Sequence, residues 1–236
     1  MIYVEFYQDI EPEVQKPIVI AAMQDMGHVG TIVIDFINKH LQSKAFRTAS
    51  CSLPGYVVDN GGYIGWVTEE WQYRYTGNLI LFGGNANQPQ NANELHEACQ
   101  DVVDIALKYD AKFIYTVGGF LTQELIQGPP QTFVTATTKP LSEQLQKAGF
   151  TLSSQRSFIT GFNGLVLGYA MANNVSGIGL YGELNDPTIP QYRTAKSIIQ
   201  TLQKLTFQNM GDTTDLDVLA AAEDRMARRR QPEFHG

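Results

Sequence analysis

Glycine and polar residues follow several apolar segments of this 236-residue sequence, and their types suggest ligand binding. Backbone N–H groups at a glycine turn that opens a helix can hold an anion such as phosphate. Alternatively, the glycines only permit tight turns between strands and helices. The residues at these turns that could contact a ligand are Asp25, Gly27, His28, Gly30, Gly83, Gly84, Asn85, Gly118, Gly119, Gly161, Asn163, Gly164 and Glu183.

Three of these side chains could take part in proton transfer. His28 is expected at a helix start, where a histidine could act as an acid or a base near neutral pH. Asp25 and Glu183 are each expected near the end of a strand, so the two carboxylates could face one crevice, or they could cap helices and bind loop amides. The chain has no G-x-S-x-G motif that would mark a nucleophile. We therefore assign no catalytic residue.

Known cofactor and metal motifs are absent from the sequence. The spacing Gly27-His-Val-Gly30 matches neither the G-x-G-x-x-G dinucleotide motif nor a phosphate loop with Gly-Lys-Ser. The histidines, at positions 28, 40, 96 and 235, form no H-E-x-x-H motif, and the cysteines form no C-x-x-C pair. The sequence thus predicts neither a cofactor nor a metal.

Hydrophobic periodicity places the glycine turns between strands and helices. The segment 17–23 is a short apolar run typical of a buried strand, and the next segment has the apolar spacing of a helix. Similar units recur, with strands predicted at 79–82, 112–117, near 156–159 and at 177–184. Asn91, with Glu94 three residues later, and Pro140 predict the starts of two helices. This alternation predicts an α/β fold with a mixed, largely parallel sheet sandwiched between helices. Ligands of such sheets bind beyond the carboxyl ends of the strands, where the glycine turns are expected.

The segment 46–76 differs from the rest because it is rich in aromatic residues and lacks a helical period. We interpret it as a β-hairpin insertion in a single domain that spans 1–236, with a core at about 17–205 and a C-terminal helix at about 214–230. Trp66, Trp71, Tyr73 and Tyr75 are candidate interface residues, since tryptophan and tyrosine are enriched at interface hot spots. Ordinary core packing is the alternative for these side chains.

Composition narrows the class of protein. The net charge of -7 argues against nucleic acid as a partner, because phosphate binding requires clustered lysine and arginine. The longest uncharged stretch, 157–182, is too polar for a membrane span. Two cysteines cannot form a disulfide framework, so Cys51 and Cys99 are expected to be reduced thiols. Together with an acidic amino terminus unlike a signal peptide, this predicts a cytoplasmic protein without a membrane partner.

Several of these segments resemble the proteasome assembly chaperone 2 family. They are the strand at 17–23 with its glycine turn, the strand at 79–82 with Gly83, and Tyr115-Thr-Val-Gly-Gly119. The most specific is Ile159-Thr-Gly-Phe-Asn-Gly164, which precedes an apolar helix of small residues. The resemblance runs from about residue 17 to residue 205, with the last helix as a usual appendage.

The resemblance implies a fold like that of nucleoside phosphorylases and peptidyl hydrolases, and assembly into homo-oligomers. Eukaryotic members help proteasome α subunits to form their ring, and some prokaryotic members have been labelled ATP-grasp enzymes. Members that dock into the α ring end in a hydrophobic residue, a tyrosine and any residue. This chain ends Phe234-His-Gly236, so Phe234 is a candidate contact although the tyrosine is absent.

Two functions follow as hypotheses. The first is a non-catalytic homo-oligomer that binds proteasome α subunits or other proteins. The second is a phosphorylase or hydrolase acting on a nucleoside or nucleotide, or an ATP-grasp-like enzyme, in the glycine-lined crevice. An open polar crevice at the strand ends would favour the second, and a crevice filled by side chains would favour the first.

Overall fold

Strands and helices alternate along most of the chain. The computed structural model describes residues 2–6, 13–51, 57–65, 70–153 and 158–230. Within these ranges the strands are β1 (Ile2–Phe6), β2 (Ile18–Ala21), β3 (Lys44–Cys51), β4 (Val58–Asp59), β5 (Ile64–Gly65), β6 (Glu70–Thr76), β7 (Leu79–Gly84), β8 (Phe113–Leu121), β9 (Thr132–Ala136) and β10 (Gly177–Leu184). The helices are α1 (Val29–Leu41), α2 (Ala92–Lys108), α3 (Lys139–Lys147), α4 (Gly161–Ala172), α5 (Tyr192–Thr206) and α6 (Thr214–Arg230).

Eight of these strands form one sheet in the order β1-β3-β6-β7-β2-β8-β10-β9, and β4 pairs separately with β5. The four central strands, β7, β2, β8 and β10, are parallel. The outer strands β1, β3, β6 and β9 pair antiparallel with their neighbours. The prediction of a mixed α/β fold with a largely parallel centre is confirmed.

The aromatic segment forms the expected hairpin, but the hairpin belongs to the main sheet. Strands β3 and β6 pair antiparallel, with a bulge between Ala45 and Arg47, and β6 continues the sheet through β7. Strands β3 and β6 therefore widen the central sheet, whereas β4 and β5, between them in the sequence, pair separately. Alternating aromatic residues are compatible with either arrangement, and the long-range pairing of β6 with β7 decides between them.

Helices cover both faces of the parallel strands. On one face Ile20 of β2 packs in a cluster with residues of α1 and α5, including Val33 and Ile198. On the other face Val19 packs in a cluster with residues of α2 and α4, including Val102. Because successive residues of a strand point to opposite faces, β2 is apolar at every position and has no polar side.

Local signals fix several helix ends where the sequence places them. The side chain of Asn91 caps α2 by accepting a hydrogen bond from the backbone N–H of Asn93 at 2.8 Å. Thr138 caps α3, and Pro140 lies in its first turn. The strand predicted near 156–159 falls partly outside the described residues, and 158–160 are not a strand.

Candidate functional site

The carboxyl ends of β2 and β8 lie side by side, which brings the first and third glycine turns together. Ala21, the last residue of β2, pairs with Thr116 of β8. Asp25 follows β2, and Gly118 and Gly119 lie in the next part of β8. Helix α4 packs on β8 and β10, on the other face of the sheet from α1, and its first turn brings Asn163 to this edge. These elements position most of the candidate residues at one place.

The Asp25 carboxylate is bound on both oxygens by backbone N–H groups. Its Oδ1 accepts a hydrogen bond from Gly30 at 2.8 Å, and its Oδ2 accepts one from Gly119 at 2.6 Å. Burial raises the pKa of Asp25 to about 6, and the hydrogen bonds only partly offset this effect. The carboxylate therefore joins the turn after β2, the first turn of α1 and the end of β8.

The side chain of Asn163, on α4, occupies the space beside Gly118. Its Nδ2 donates a hydrogen bond to the carbonyl oxygen of Val117 at 3.1 Å. A Cβ atom at position 118 would lie 2.4 Å from Asn163 Nδ2 and 3.0 Å from Asp25 Oδ2. Glycine at this position thus makes room for two side chains of the protein itself.

Two glutamines that the sequence analysis did not select fill further space at this edge. Gln88 Oε1 accepts a hydrogen bond from the N–H of Phe162 at 3.1 Å, and Gln88 Nε2 donates to the carbonyl oxygen of Gln24 at 3.2 Å. A Cβ at Gly161 would lie 2.7 Å from Gln88 Oε1. An isolated glutamine in a loop belongs to no motif or periodic pattern, so the sequence does not indicate which glutamines lie at this edge.

Gln191 fills the space beside Gly27 in the same way. A Cβ at Gly27 would lie 2.5 Å from Gln191 Cγ, and Gly27 itself has a left-handed φ of 66°. The backbone also closes around this glycine, because its N–H donates to the carbonyl oxygen of Pro187 at 2.8 Å. His28, the next residue, is half-buried, also has a left-handed backbone, and lies at the start of α1 as the sequence predicts.

The other candidate residues do not join this cluster. Glu183 Oε2 accepts a hydrogen bond from the N–H of Gln131 at 3.0 Å, so the carboxylate binds a loop amide. Gly83, Gly84 and Asn85 line a separate open cavity of about 540 Å³ with five further residues: Asp35, Asn38, Glu70, Gln72 and Arg74. The sequence predicts that all the candidate residues line one crevice, but the structure places them at separate sites.

Neither of two cavities in the described structure opens onto Asp25, Gly118 or Asn163. One is the cavity at the end of β7, and the other, of about 530 Å³, is lined by residues that include Lys16, Asn78 and Lys112. Among the described residues, no three His, Cys, Asp or Glu side chains are grouped so that they could hold a metal ion. In the same part of the chain, no helix has the length and apolar character of a membrane span.

The cysteine prediction is confirmed for Cys99, which is a free thiol. Burial raises its pKa to about 12, because the thiolate would lose its hydration. Cys99 is therefore protonated at neutral pH and is not an activated nucleophile.

The aromatic residues proposed as interface anchors lie mostly in the core. Trp71 and Tyr73 have no exposed surface, and Trp71 Nε1 donates a hydrogen bond to the carbonyl oxygen of Ala86 at 3.2 Å. Tyr75 is half-buried against Phe46, with the ring centroids 5.9 Å apart. The interface prediction is wrong for Trp71 and Tyr73, because β6 lies inside the sheet under α2. Trp66 and Phe234 fall outside the described residues.

Apolar side chains that the sequence analysis did not select are exposed around the strand ends. They lie after β2, at and after the end of β8, and just before α4. We call this set the apolar rim, and it consists of Met26, Phe120, Leu121, Leu125, Phe158 and Ile159. Leu125 is 78% exposed and Phe158 is 95% exposed. Apolar residues scattered through loops have no period, so only the folded structure shows that they share one edge.

Comparison with known proteins identifies the family. The PAC2 family model matches residues 19–229. The Methanocaldococcus jannaschii protein MJ1210 is 27% identical over 205 residues, which cover 84% of this chain and 76% of that protein.

Two solved structures from Pyrococcus furiosus share the fold. PbaB, described as an archaeal proteasome activator, has a TM-score of 0.82 at 22% identity, and the match covers 97% of this chain and 98% of PbaB. PbaA, described as an archaeal homolog of proteasome-assembly chaperone, has a TM-score of 0.78 at 19% identity, over 96% of this chain and 90% of PbaA. Since the family model spans nearly the whole sequence, the chain belongs to the PAC2 family.

Proposed function

We propose that this protein is a non-catalytic, chaperone-like protein that binds proteasome subunits through the apolar rim. Membership of the PAC2 family supports a chaperone-like role. The descriptions of PbaB as a proteasome activator and of PbaA as a chaperone homolog suggest the partner. A proteasome partner also implies a cytoplasmic location.

The observation that carries the proposal is the filled edge of the sheet at the ends of β2 and β8, which lies apart from the open cavity at the end of β7. At the point where α/β enzymes bind their ligands, the side chains of Asp25, Asn163 and Gln88 hydrogen-bond to the chain's own backbone. An enzyme site needs polar groups directed at a reacting molecule, whereas these groups already have internal partners. Their arrangement supports a structural role for the glycine turns.

The apolar rim supplies what a protein partner would bind. Large exposed apolar groups that are gathered at one edge are characteristic of interaction surfaces. Phe158 and Leu125 are the most exposed residues of the rim. A partner that buries them removes apolar surface from water, which is the main favourable contribution to most protein association.

A direct binding titration tests the proposal. The purified chain is titrated against purified proteasome α subunits from its source organism, and a saturable complex is expected. Phe158→Asp and Leu125→Asp should each weaken the complex by at least about tenfold, as expected for hot-spot residues. Phe207→Asp is the matched control, because Phe207 is 94% exposed but lies at the end of α5, away from the rim.

The outcomes separate the two parts of the proposal. If the wild-type chain forms no complex with α subunits, the proposed partner is wrong. If the complex forms and Phe158→Asp binds as tightly as Phe207→Asp, the proposed surface is wrong. Thermal unfolding of each variant shows whether the substitution has changed the fold itself.

A further inference from the structure

Helix α6 has an apolar surface that nothing in the described structure covers. One side of the helix packs on α5 through Leu216 and Ala220, which are buried. Away from this contact, Val218 is 63% exposed, Leu219 is 44% exposed and Met226 is 50% exposed. A surface helix normally has its apolar side chains on the side that faces its own protein. Helix α6 therefore has a second apolar side, which faces solvent.

The exposed side has the spacing of a helix-pairing seam. Leu219, Ala222 and Met226 are separated by three and four residues, which is the spacing of apolar positions in paired helices. Asp215 continues this line toward the start of the helix, and the helical repeat places position 229, an arginine, at its other end. The seam thus runs from an acidic residue across an apolar centre to a basic residue.

We propose that α6 is a homodimer interface, in which it pairs antiparallel with α6 of a second copy of this chain about a two-fold axis near Ala222. In this arrangement Asp215 lies opposite Arg229 of the second copy, and Val218 lies opposite the second copy's Met226. Alanine at the axis lets the two helix backbones approach closely. Each contact occurs twice, as an isologous two-fold interface requires.

Charge complementarity identifies a second copy of the chain as the occupant. The sequence around α6 is acidic at its start, with Asp212, Asp215 and Asp217, and basic at its end, with arginines at 225, 228, 229 and 230. Antiparallel pairing brings the acidic start of each helix to the basic end of the other, and parallel pairing would bring like charges together. This local attraction opposes the general repulsion between two chains of charge -7.

The packing of α6 on its own protein leaves the proposed seam accessible. Lys196 binds Asp217 with 2.6 Å between Nζ and Oδ2, and Arg193 binds Asp224 with 2.6 Å between Nη2 and Oδ2. These ion pairs hold the helix against α5 from the opposite side. The Asp215 side chain remains 65% exposed, with His40 Nε2 at 4.0 Å from its Oδ2.

Charge reversal in the full-length chain tests the pairing. Asp215→Arg places arginine opposite Arg229 of the second copy, and Arg229→Glu places glutamate opposite Asp215. Each single variant turns two attractions per dimer into repulsions, so its dimer dissociation constant should rise by about tenfold. An equimolar mixture of the two variants should dimerise like the wild type, because each arginine at 215 then meets a glutamate at 229.

Analytical ultracentrifugation over about a hundredfold range of concentration gives the dissociation constants. Ala222→Glu should also weaken the dimer, and Ala221→Glu, on the adjacent side of the same helix, should not. Restoration by the mixture rules out misfolding as the cause of the single-variant defects and supports the pairing. The proposal is overturned if the wild-type chain stays monomeric, or if the single variants dimerise as tightly as the wild type.

This inference does not rest on the proposed proteasome partner. The apolar rim and α6 are different surfaces, so a wild-type chain that stays monomeric but binds α subunits would contradict only the dimer proposal. A wild-type dimer that binds no α subunits would contradict only the proposed partner. The family resemblance predicts a homo-oligomer, and this proposal names α6 as its interface.

Discussion

The carboxylate of Asp25 accepts a hydrogen bond from the backbone N–H of Gly119 at 2.6 Å, and this contact connects two neighbouring strand ends. The same carboxylate binds Gly30 at the start of α1. Asp25 has a carboxylate that could serve as a catalytic base, but here the carboxylate holds the backbone in place at the edge of the sheet. This use of Asp25 has a measurable consequence for stability.

The stability of the protein should depend on the protonation of Asp25. Burial raises the pKa of this group to about 6 in the folded protein, so between the ordinary value of 3.8 and about 6 the folded state binds more protons than the unfolded state. The free energy of unfolding should therefore rise as the pH falls through this window. At about 1.4 kcal/mol per pH unit, the gain is at most about 3 kcal/mol.

Urea unfolding of the wild type and of Asp25→Asn at several pH values checks this prediction. The free energy of unfolding of the wild type minus that of Asp25→Asn should increase as the pH is lowered from 7 to 4. Asp186→Asn is the control: hydrogen bonds from Thr188 lower the pKa of this exposed group, so its contribution is lost only at lower pH. A pH-independent difference for Asp25→Asn would contradict the assigned environment.

Two glycines of α4 should respond in opposite ways to substitution by alanine. A Cβ at Gly164 would lie 2.0 Å from the carbonyl oxygen of Ile159, whereas a Cβ at Gly168 meets no atom within 4 Å. Gly164→Ala should destabilise the protein by about 2 kcal/mol or more, since the backbone must move. Gly168→Ala should stabilise it by about 0.5–1 kcal/mol, because alanine favours a helix interior. Chemical denaturation measures both, and equal effects would refute this account of the motif.

The buried ion pair between Arg47 and Asp101 should be costly to break. Arg47 donates two hydrogen bonds to the Asp101 carboxylate, and its side chain is only 7% exposed. Asp101→Ala leaves this charge buried without its carboxylate, so the free energy of unfolding should fall by about 3–5 kcal/mol.

The exposed pair of Arg193 and Asp224 provides the comparison for this substitution. These side chains are 51% and 45% exposed, so Asp224→Ala should cost no more than about 1 kcal/mol. Urea denaturation of both variants gives the two values. Arg47 lies in β3 and Asp101 in α2, so an Asp101→Ala as mild as Asp224→Ala would mean that the pair does not hold this strand to this helix.

Local features of the fold could be predicted from the sequence. The apolar run at 17–23, followed by helical spacing, predicts β2 and α1, and the strand at 177–184 matches β10 in full. Asn91 and Pro140 mark helix starts because capping and proline geometry act within a few residues. Such signals depend only on near neighbours in the chain.

Features that depend on distant pairing could not be predicted. An alternating aromatic strand has the same sequence pattern whether it faces a core or a partner, and only the place of β6 beside β7 buries Trp71 and Tyr73. Similarly, the glycine turns indicate where other atoms of the protein can approach the backbone closely. They do not indicate which side chains occupy the space that a Cβ atom would take. Gln88 and Gln191 fill it from distant parts of the chain.

Hydrogen exchange of the chain with and without proteasome α subunits tests the central claim most directly. Binding through the apolar rim predicts slower amide exchange in segments 118–126 and 158–164, with α6 unchanged by the subunits. A complex that leaves exchange in both segments unchanged would contradict the claim that this edge of the sheet binds the partner.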